Sequence, residues 1–276
     1  MTSGAVLTAD TLAAFIALVR QHTGIAMTDR KSVLLERRLR PRLHALALDN
    51  YPEYLAMVQR GGAEVPHFID LVTTNDTLFF RTPAVWTYLS EQFLPVWQRR
   101  HPEGCLRIWS AAAASGEELY SMTMLCEEFR LRHPAFRYRL LATDISQQML
   151  ALAQAGRYGG RTLERLQASH PQLYKKYFSV EGNGARIDGS LRRHVSFAQH
   201  NLLQALLPPQ QFDLVLLRNV LIYFDAAHQQ TVLKQARLSM HADARLIVGE
   251  SESINRLNTG YQFESALVYS LKEELS

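Results

Sequence analysis

Cysteine is scarce in this chain: Cys105 and Cys126 are the only two in 276 residues. Two thiols make no disulfide framework, and their spacing fits no zinc motif, so each is expected to be a reduced, buried thiol. Long apolar runs are missing as well. The longest candidate, LVLLRNVLIYF (214–224), is broken by Arg218 and Asn219 and falls short of the ~18 residues of a membrane span. The opening MTSGAVLTAD has no basic region followed by an apolar stretch, so the expectation is a cytoplasmic protein without a secretory signal. The ten histidines form no HExxH or comparable pattern, so no metal is expected. Charge is nearly balanced, with 30 Lys and Arg against 26 Asp and Glu, and the net +4 leans only modestly towards an acidic partner. The phosphate-binding pattern G-x-G-x-x-G is absent too.

What stands where that pattern would be is WSAAAASGEELYS (109–121), a loop of small side chains between an apolar strand and a helix. Leu106 to Trp109 read as the strand, and Leu119, Met122, Cys126 and Phe129 mark the inward face of the helix. This is the first turn of a nucleotide-binding α/β unit.

The chain divides near residue 100. Before it the pattern is helical, starting with Leu12, Phe15, Ile16 and Val19 after a Thr8 cap. A second helix from about Arg30 has Leu35, Leu39 and Leu43 inward, and Lys31, Arg37, Arg38 and Arg42 give it a basic face. Pro41 predicts a kink or early stop there. Further helices are expected over Pro52 to Gln59 and Val65 to Val72. After the polar stretch TTNDTLFFR (73–81), Thr82-Pro83 looks like a cap and first helical residue, with Trp86, Leu89, Phe93 and Val96 inward.

Beyond Gly104 strands and helices alternate, which predicts a parallel sheet covered on both faces. Strands are expected at 106–111, 138–143, 195–198, 212–217 and 245–249, helices at 117–131, 146–155 and 226–240, and an edge strand over 263–271. The Gly-rich stretch 179–194 reads as a small hairpin or loop insertion. Ligands of open α/β sheets bind outside the carboxyl ends of the strands. Three polar strand ends, the alanine loop, Asp144 in LLATD, and Arg218-Asn219 after FDLVLL, should therefore share one crevice.

Asp144 is placed to accept from ribose hydroxyls or to cap the helix of ISQQML, and the two roles are compatible. Glu117 and Glu118 occupy the first helical turn, where carboxylates suit the dipole but a pyrophosphate would meet negative charge. A cationic cofactor without phosphate fits better, which argues against nicotinamide dinucleotides. S-adenosylmethionine is such a molecule.

WSAAAASGEELYS, LLATDISQQML, HNLL (200–203), FDLVLLRNVLIYFD (212–225) and LIVGESES (246–253) succeed one another as in the CheR-type chemoreceptor methyltransferases, and TTNDTLFFR resembles that family's linker. The resemblance runs from about Phe15 to Leu271. It implies an α/β fold: a class I, Rossmann-like S-adenosylmethionine-dependent methyltransferase domain over 83–276 with a small β insertion at 179–194. An N-terminal all-helical domain with its linker would occupy 1–82.

The implied activity is methylation of glutamate side chains in the cytoplasmic domain of chemoreceptors, leaving S-adenosyl-L-homocysteine. The implied cofactor-binding residues are Asn75, Thr77, Arg81, Glu118, Asp144, Asn201, Leu202, Arg218 and Asn219. Arg81 and Tyr223 would orient the accepting carboxylate, although Tyr223 would also suit a core aromatic with an exposed hydroxyl. Lys31, Arg37, Arg38 and Arg42 would steer glutamate-rich receptor helices, or else form a plain solvated face. Leu119 stands where the family commonly has proline, and alanines replace its usual glycine or cysteine in the loop. The insertion looks shorter than in members that dock on a receptor's tethering peptide, so no tether is expected. A nucleic-acid methyltransferase is disfavoured, because Pro208-Pro209 has no adjacent Asn and Tyr. The competing reading is a non-catalytic scaffold or sensor that binds the adenosyl cofactor.

Overall fold

The computed structural model describes residues 6–28 and 32–272, so Lys31 of the expected basic face lies outside the described residues. Contacts divide the chain into two units, one of residues 1–74 with 223–228 and one of 75–222 with 229–276. Residues 75–82 thus belong with the second unit.

Among the described residues up to 74, the first unit has the helices α1 (Ala9–Thr23), α2 (Ser32–Ala45), α3 (Tyr51–Gln59) and α4 (Glu64–Val72). Their ends follow local chemistry. The Thr8 side chain accepts from the Thr11 amide, Asn50 accepts from the Glu53 amide, and Gly24 ends α1 in the left-handed conformation at φ 74°. Phe15 is fully buried against Tyr54 and Phe68, with ring centroids 6.1 and 6.0 Å away, and Leu35, Leu39 and Leu43 complete the core. Pro41 does not stop α2, which continues to Ala45. The exposed ring forfeits one backbone bond, and the buried stripe of leucines on the other side carries the helix past it.

The second unit begins with α5 (Pro83–Tyr88), a π-helical turn (Leu89–Phe93) and α6 (Leu94–Arg100). Thr82 does not cap α5 with its side chain. It sits at φ 64° and its buried hydroxyl has no partner. The wide turn shifts the inward face to Leu94 and Trp97, leaving Val96 only half-buried.

Then follow β1 (Cys105–Ser110), α7 (Glu117–Arg132), β2 (Arg137–Asp144), α8 (Gln147–Ala155), β3 (Arg157–Tyr158), α9 (Gly160–Ser169) and α10 (Pro171–Tyr177). The rest comprises β4 (Phe178–Glu181), β5 (Gly184–Ile187), α11 (Gly189–Arg192), β6 (Val195–Gln199), β7 (Phe212–Leu217), α12 (Ala226–Leu238), β8 (Met240–Val248), β9 (Tyr261–Ser265) and β10 (Val268–Leu271). Seven strands form one sheet in the order β6-β2-β1-β7-β8-β10-β9, parallel through β8 and antiparallel beyond. The expected edge strand at 263–271 is instead a hairpin, β9 and β10, turning at Leu267 with φ 67°. Strand β7 is buried at every position, including Asp213, whose carboxylate accepts from the Arg107 amide at 2.7 Å. A separate antiparallel sheet, β3-β5-β4, is closed by a two-residue turn at Gly182-Asn183. Among the described residues no helix is long and apolar enough to cross a membrane.

Cys126 is buried as expected, and burial pushes its thiol pKa well up. Cys105 is not. It is exposed as the first residue of β1, on the strand's outward alternation.

Candidate functional site

The sheet reverses its winding between β1 and β7, since the chain moves from β1 to β2 on one side and returns to β7 on the other. Side chains leaving the carboxyl ends of these two strands face a common crevice. Ser110, the last residue of β1, donates through Oγ to Oε1 of Glu118 at 2.8 Å. Arg218, the first residue after β7, donates from Nη1 to Oε2 of the same carboxylate at 3.0 Å. Its Nη2 donates to the carbonyl of Arg81 at 2.8 Å, and Trp86 Nε1 reaches that carbonyl at 2.9 Å. The Arg218 guanidinium also lies over the Trp86 ring at 5.8 Å. One buried ion pair therefore ties α7, the end of β7 and the 75–82 segment together.

That segment is anchored further by its aromatic residues. Phe79 meets Tyr158 and Phe178 edge-on, and Phe80, at φ 51°, stacks on His170 while its amide donates to Ser121 Oγ at 2.9 Å. The Arg81 side chain is half-buried and donates to the Asp76 carbonyl at 3.0 Å, while Asp76 itself pairs with Arg161. Asn75 and Thr77 are half-buried in the same segment.

The alanine loop is held from both sides. Asp144 accepts from the Ala114 amide at 2.8 Å through one oxygen and from the Ser146 amide at 2.9 Å through the other. Thr143 Oγ1 donates to the Ala111 carbonyl and accepts from Trp109 Nε1. The loop ends on Gly116 at φ 97°, where a Cβ would approach Ala153 Cβ and the Tyr158 hydroxyl to 2.9 Å. Only glycine fits that position. Asp144 thus performs the local backbone role that a cap would, at the carboxyl end of β2.

Glu117 is buried beside the loop, and burial raises its pKa despite the hydrogen bond it accepts from Ser115 Oγ at 2.7 Å. A buried carboxylate with no ion-pair partner among the described residues suits a cation and repels a phosphate. The donor set as a whole fits S-adenosylmethionine: two buried glutamates for a charged sulfonium and amino group, an acid at the end of β2 for hydroxyls, and a backbone loop without bulk. The Nε of Arg218 and Nε2 of His200 are also buried with no protein partner. His200 lies beside Asn201, which is half-buried with its side chain accepting from the Leu203 amide, and Leu202, which is buried. Among the described residues no cluster could hold a metal ion.

Asn219 adopts φ 58° and its amide donates to Glu252 Oε2 at 2.7 Å, as does the Gly249 amide at 2.6 Å. A Cβ on Gly249 would come within 2.6 Å of Asn219 Nδ2 and 2.8 Å of its backbone nitrogen. Glu252 is thus a positioning residue that the sequence reading left out, as it left out Ser110 and Trp86. The signal for Glu252 was the acidic run directly after the apolar strand LIV.

Tyr223 closes a single 3-10 turn, Leu221–Tyr223, and groups with the helical unit, where its carbonyl accepts from the Ala26 amide at 2.8 Å. On α2, Arg42 is committed to Glu64 by two bonds of 2.9 and 2.7 Å, and Tyr54 donates to the same carboxylate at 2.9 Å. Arg38 donates to the Val72 carbonyl and to Thr74 Oγ1. Arg37 is exposed.

Two family models cover the chain: CheR methyltransferase, all-alpha domain, over residues 10–73, and CheR methyltransferase, SAM binding domain, over residues 75–269. A chemotaxis protein methyltransferase of Salmonella typhimurium is 34% identical over 93% of this chain and 88% of its own length. Proteins of the same description from Vibrio anguillarum and Escherichia coli K12 are 33% and 32% identical, over 94% and 93% of this chain and 95% and 89% of their own lengths.

Proposed function

The chain belongs to the CheR methyltransferase family, and from that membership and its site we propose that it methylates glutamate side chains in the cytoplasmic signalling domains of chemoreceptors. The observation that carries the reading is the buried Glu118–Arg218 pair, which joins the loop after β1 to the RNV segment after β7 and to Arg81. The arrangement holds an acidic wall where a cationic, phosphate-free cofactor belongs.

S-adenosylmethionine, when bound, supplies an electrophilic methyl group on a positively charged sulfur. Glu118, Asp144, Arg218 and Asn219, with Asn75, Thr77 and Arg81 from the segment before α5, hold it, and Asn201 and Leu202 flank its adenine. The accepting carboxylate is ionised at neutral pH, so no general base is required. What the chain must do is aim one carboxylate oxygen, and such positioning contributes on the order of 7–11 kcal/mol. Arg81 and Tyr223 are the residues proposed to orient it. For Arg81 the support is a backbone fixed by two hydrogen bonds, and for Tyr223 it is the motif IYF.

The protein acts in the cytoplasm, where these receptor domains lie. It requires no tethering peptide at the receptor's tail, a reading supported by the two-residue turn that keeps β4 and β5 short. Incubation with labelled S-adenosylmethionine and a panel of receptor signalling domains from the same cell, each with and without its C-terminal peptide, tests all of this. Base-labile methyl ester on a receptor glutamate is the expected product, at equal rates with and without the peptide. Cofactor binding without transfer to any receptor would instead assign a sensor or scaffold.

A further inference from the structure

At the opposite, amino-terminal ends of β1, β2 and β6 lies a cavity of about 470 Å³, lined by Cys105, Arg130, Arg137, Arg139, Arg193 and His194. Its cations come from separate elements. Arg137 opens β2 and Arg139 follows on the same face, Arg193 and His194 precede β6, and Arg130 lies in the last turn of α7. In register, Arg139 stands beside Arg107 of β1, so two exposed arginines are cross-strand neighbours. Like charges in that position oppose sheet formation. Among the described residues Arg107, Arg137, Arg139 and Arg193 have no ion-pair partner. Their polar contacts are with the Glu103 carbonyl for Arg137, His194 Nδ1 at 3.4 Å for Arg139 and the Ser190 carbonyl at 3.0 Å for Arg193. Each guanidinium has five donors, so most of this capacity is unspent. Glu127, which lies behind the lining, is occupied by Arg130 at 2.6 Å and the Tyr138 hydroxyl at 2.9 Å, with His194 Nε2 at 3.5 Å.

We propose that this groove binds a small anion carrying two or more phosphate groups, at a site separate from the one at the carboxyl ends of the same strands. Forked guanidinium groups match phosphate oxygens in pairs, and arginines on two elements need a ligand with more than one phosphate to engage them together. The volume lies within the range of small-ligand pockets. S-adenosylmethionine has no phosphate and is not the ligand. His194 reports on the same field: burial lowers its pKa, Glu127 opposes the shift, and Arg139, Arg193 and Arg130 reinforce it.

The test uses the full chain and two probes, sodium tripolyphosphate and ATP, in titration calorimetry at about 0.15 M salt. One saturable site is expected for both, with affinity at least tenfold weaker in the double variant R137E/R193E and S-adenosylhomocysteine affinity unchanged. Tighter binding of ATP would assign a nucleotide ligand, and equal binding would assign the phosphate chain. Cys105 gives a second readout on the unmodified protein, because it lines the groove and is exposed while Cys126 is fully buried. Tripolyphosphate should slow its alkylation by uncharged iodoacetamide several-fold, and this holds whether or not the double variant folds. Absence of both saturable heat and protection overturns the proposal, as does binding that the variant retains in full or that S-adenosylhomocysteine displaces.

Discussion

Arg218 and Glu118, a hundred residues apart in sequence, form a 3.0 Å ion pair in which the arginine side chain is 1% exposed. Removing either partner leaves the other's charge buried, which costs about 3–5 kcal/mol. Arg218→Met should therefore lower the midpoint of urea unfolding and abolish measurable S-adenosylhomocysteine binding by calorimetry. Glu118→Gln, which keeps the shape and a hydrogen-bond acceptor, should weaken binding at least tenfold with a smaller loss of stability.

Glu117 runs the other way. Its pKa is raised by burial, so as pH climbs through the ordinary glutamate range the unfolded chain releases its proton while the folded chain holds it. Stability associated with this group is present at low pH and lost as pH rises from the unfolded value to the raised folded one. Glu117→Gln is expected to be more stable than wild type at pH 7, with the difference vanishing near pH 4, and to bind S-adenosylhomocysteine more weakly. Thermal unfolding across pH, paired with calorimetric titration, measures both. A variant less stable at pH 7 would overturn this role.

Glu64 has the opposite sign. Burial alone would raise its pKa, but hydrogen bonds from Arg42 and Tyr54 outweigh it and leave the pKa lowered. The stabilisation is full above the unfolded glutamate value and disappears as pH falls through the lowered folded one. Glu64→Gln should cost about 2 kcal/mol at pH 7 and progressively less in acid, read by urea unfolding at several pH values.

Gly249→Ala would push a methyl group into the Asn219 backbone and Glu252. Overpacking of this kind costs about 1–3 kcal/mol. Because the strain falls on the Asn219 turn, the loss should appear chiefly as a tenfold or greater fall in cofactor affinity, with far-ultraviolet circular dichroism unchanged.

With Arg42 matched by Glu64 and Arg38 bonded to Val72 and Thr74, exposed Arg37 is the residue on which to test steering of acidic receptor helices. Arg37→Glu should lower kcat/KM for receptor methylation several-fold at low ionic strength and converge on wild type at about 0.5 M salt, with cofactor affinity unchanged. A salt-independent deficit would mean that Arg37 acts by contact and not by field.

Periodicity in the sequence was enough to place most of the elements, because burying a face leaves a repeat of about 3.6 or 2 in the residues themselves. The leucine stripe of α2, the apolar stretch LVLL of β7 and the small residues between β1 and α7 were all readable in this way. So were the three polar strand ends, since a buried strand finishes in polar residues only where something polar meets them. The stretch 157–177 stayed unread because β3 is two residues long and finds its partner in β5, nearly thirty residues later. Tertiary packing alone decided the rest. Arg42 and Glu64 are twenty-two residues apart, and Glu252 serves an amide of Asn219 thirty-three residues before it. Which arginines of α2 are spent, which glutamate braces the site, and that Arg107 and Arg139 stand unmatched side by side are pairings across elements, and a one-dimensional pattern carries no record of which neighbours the fold will supply.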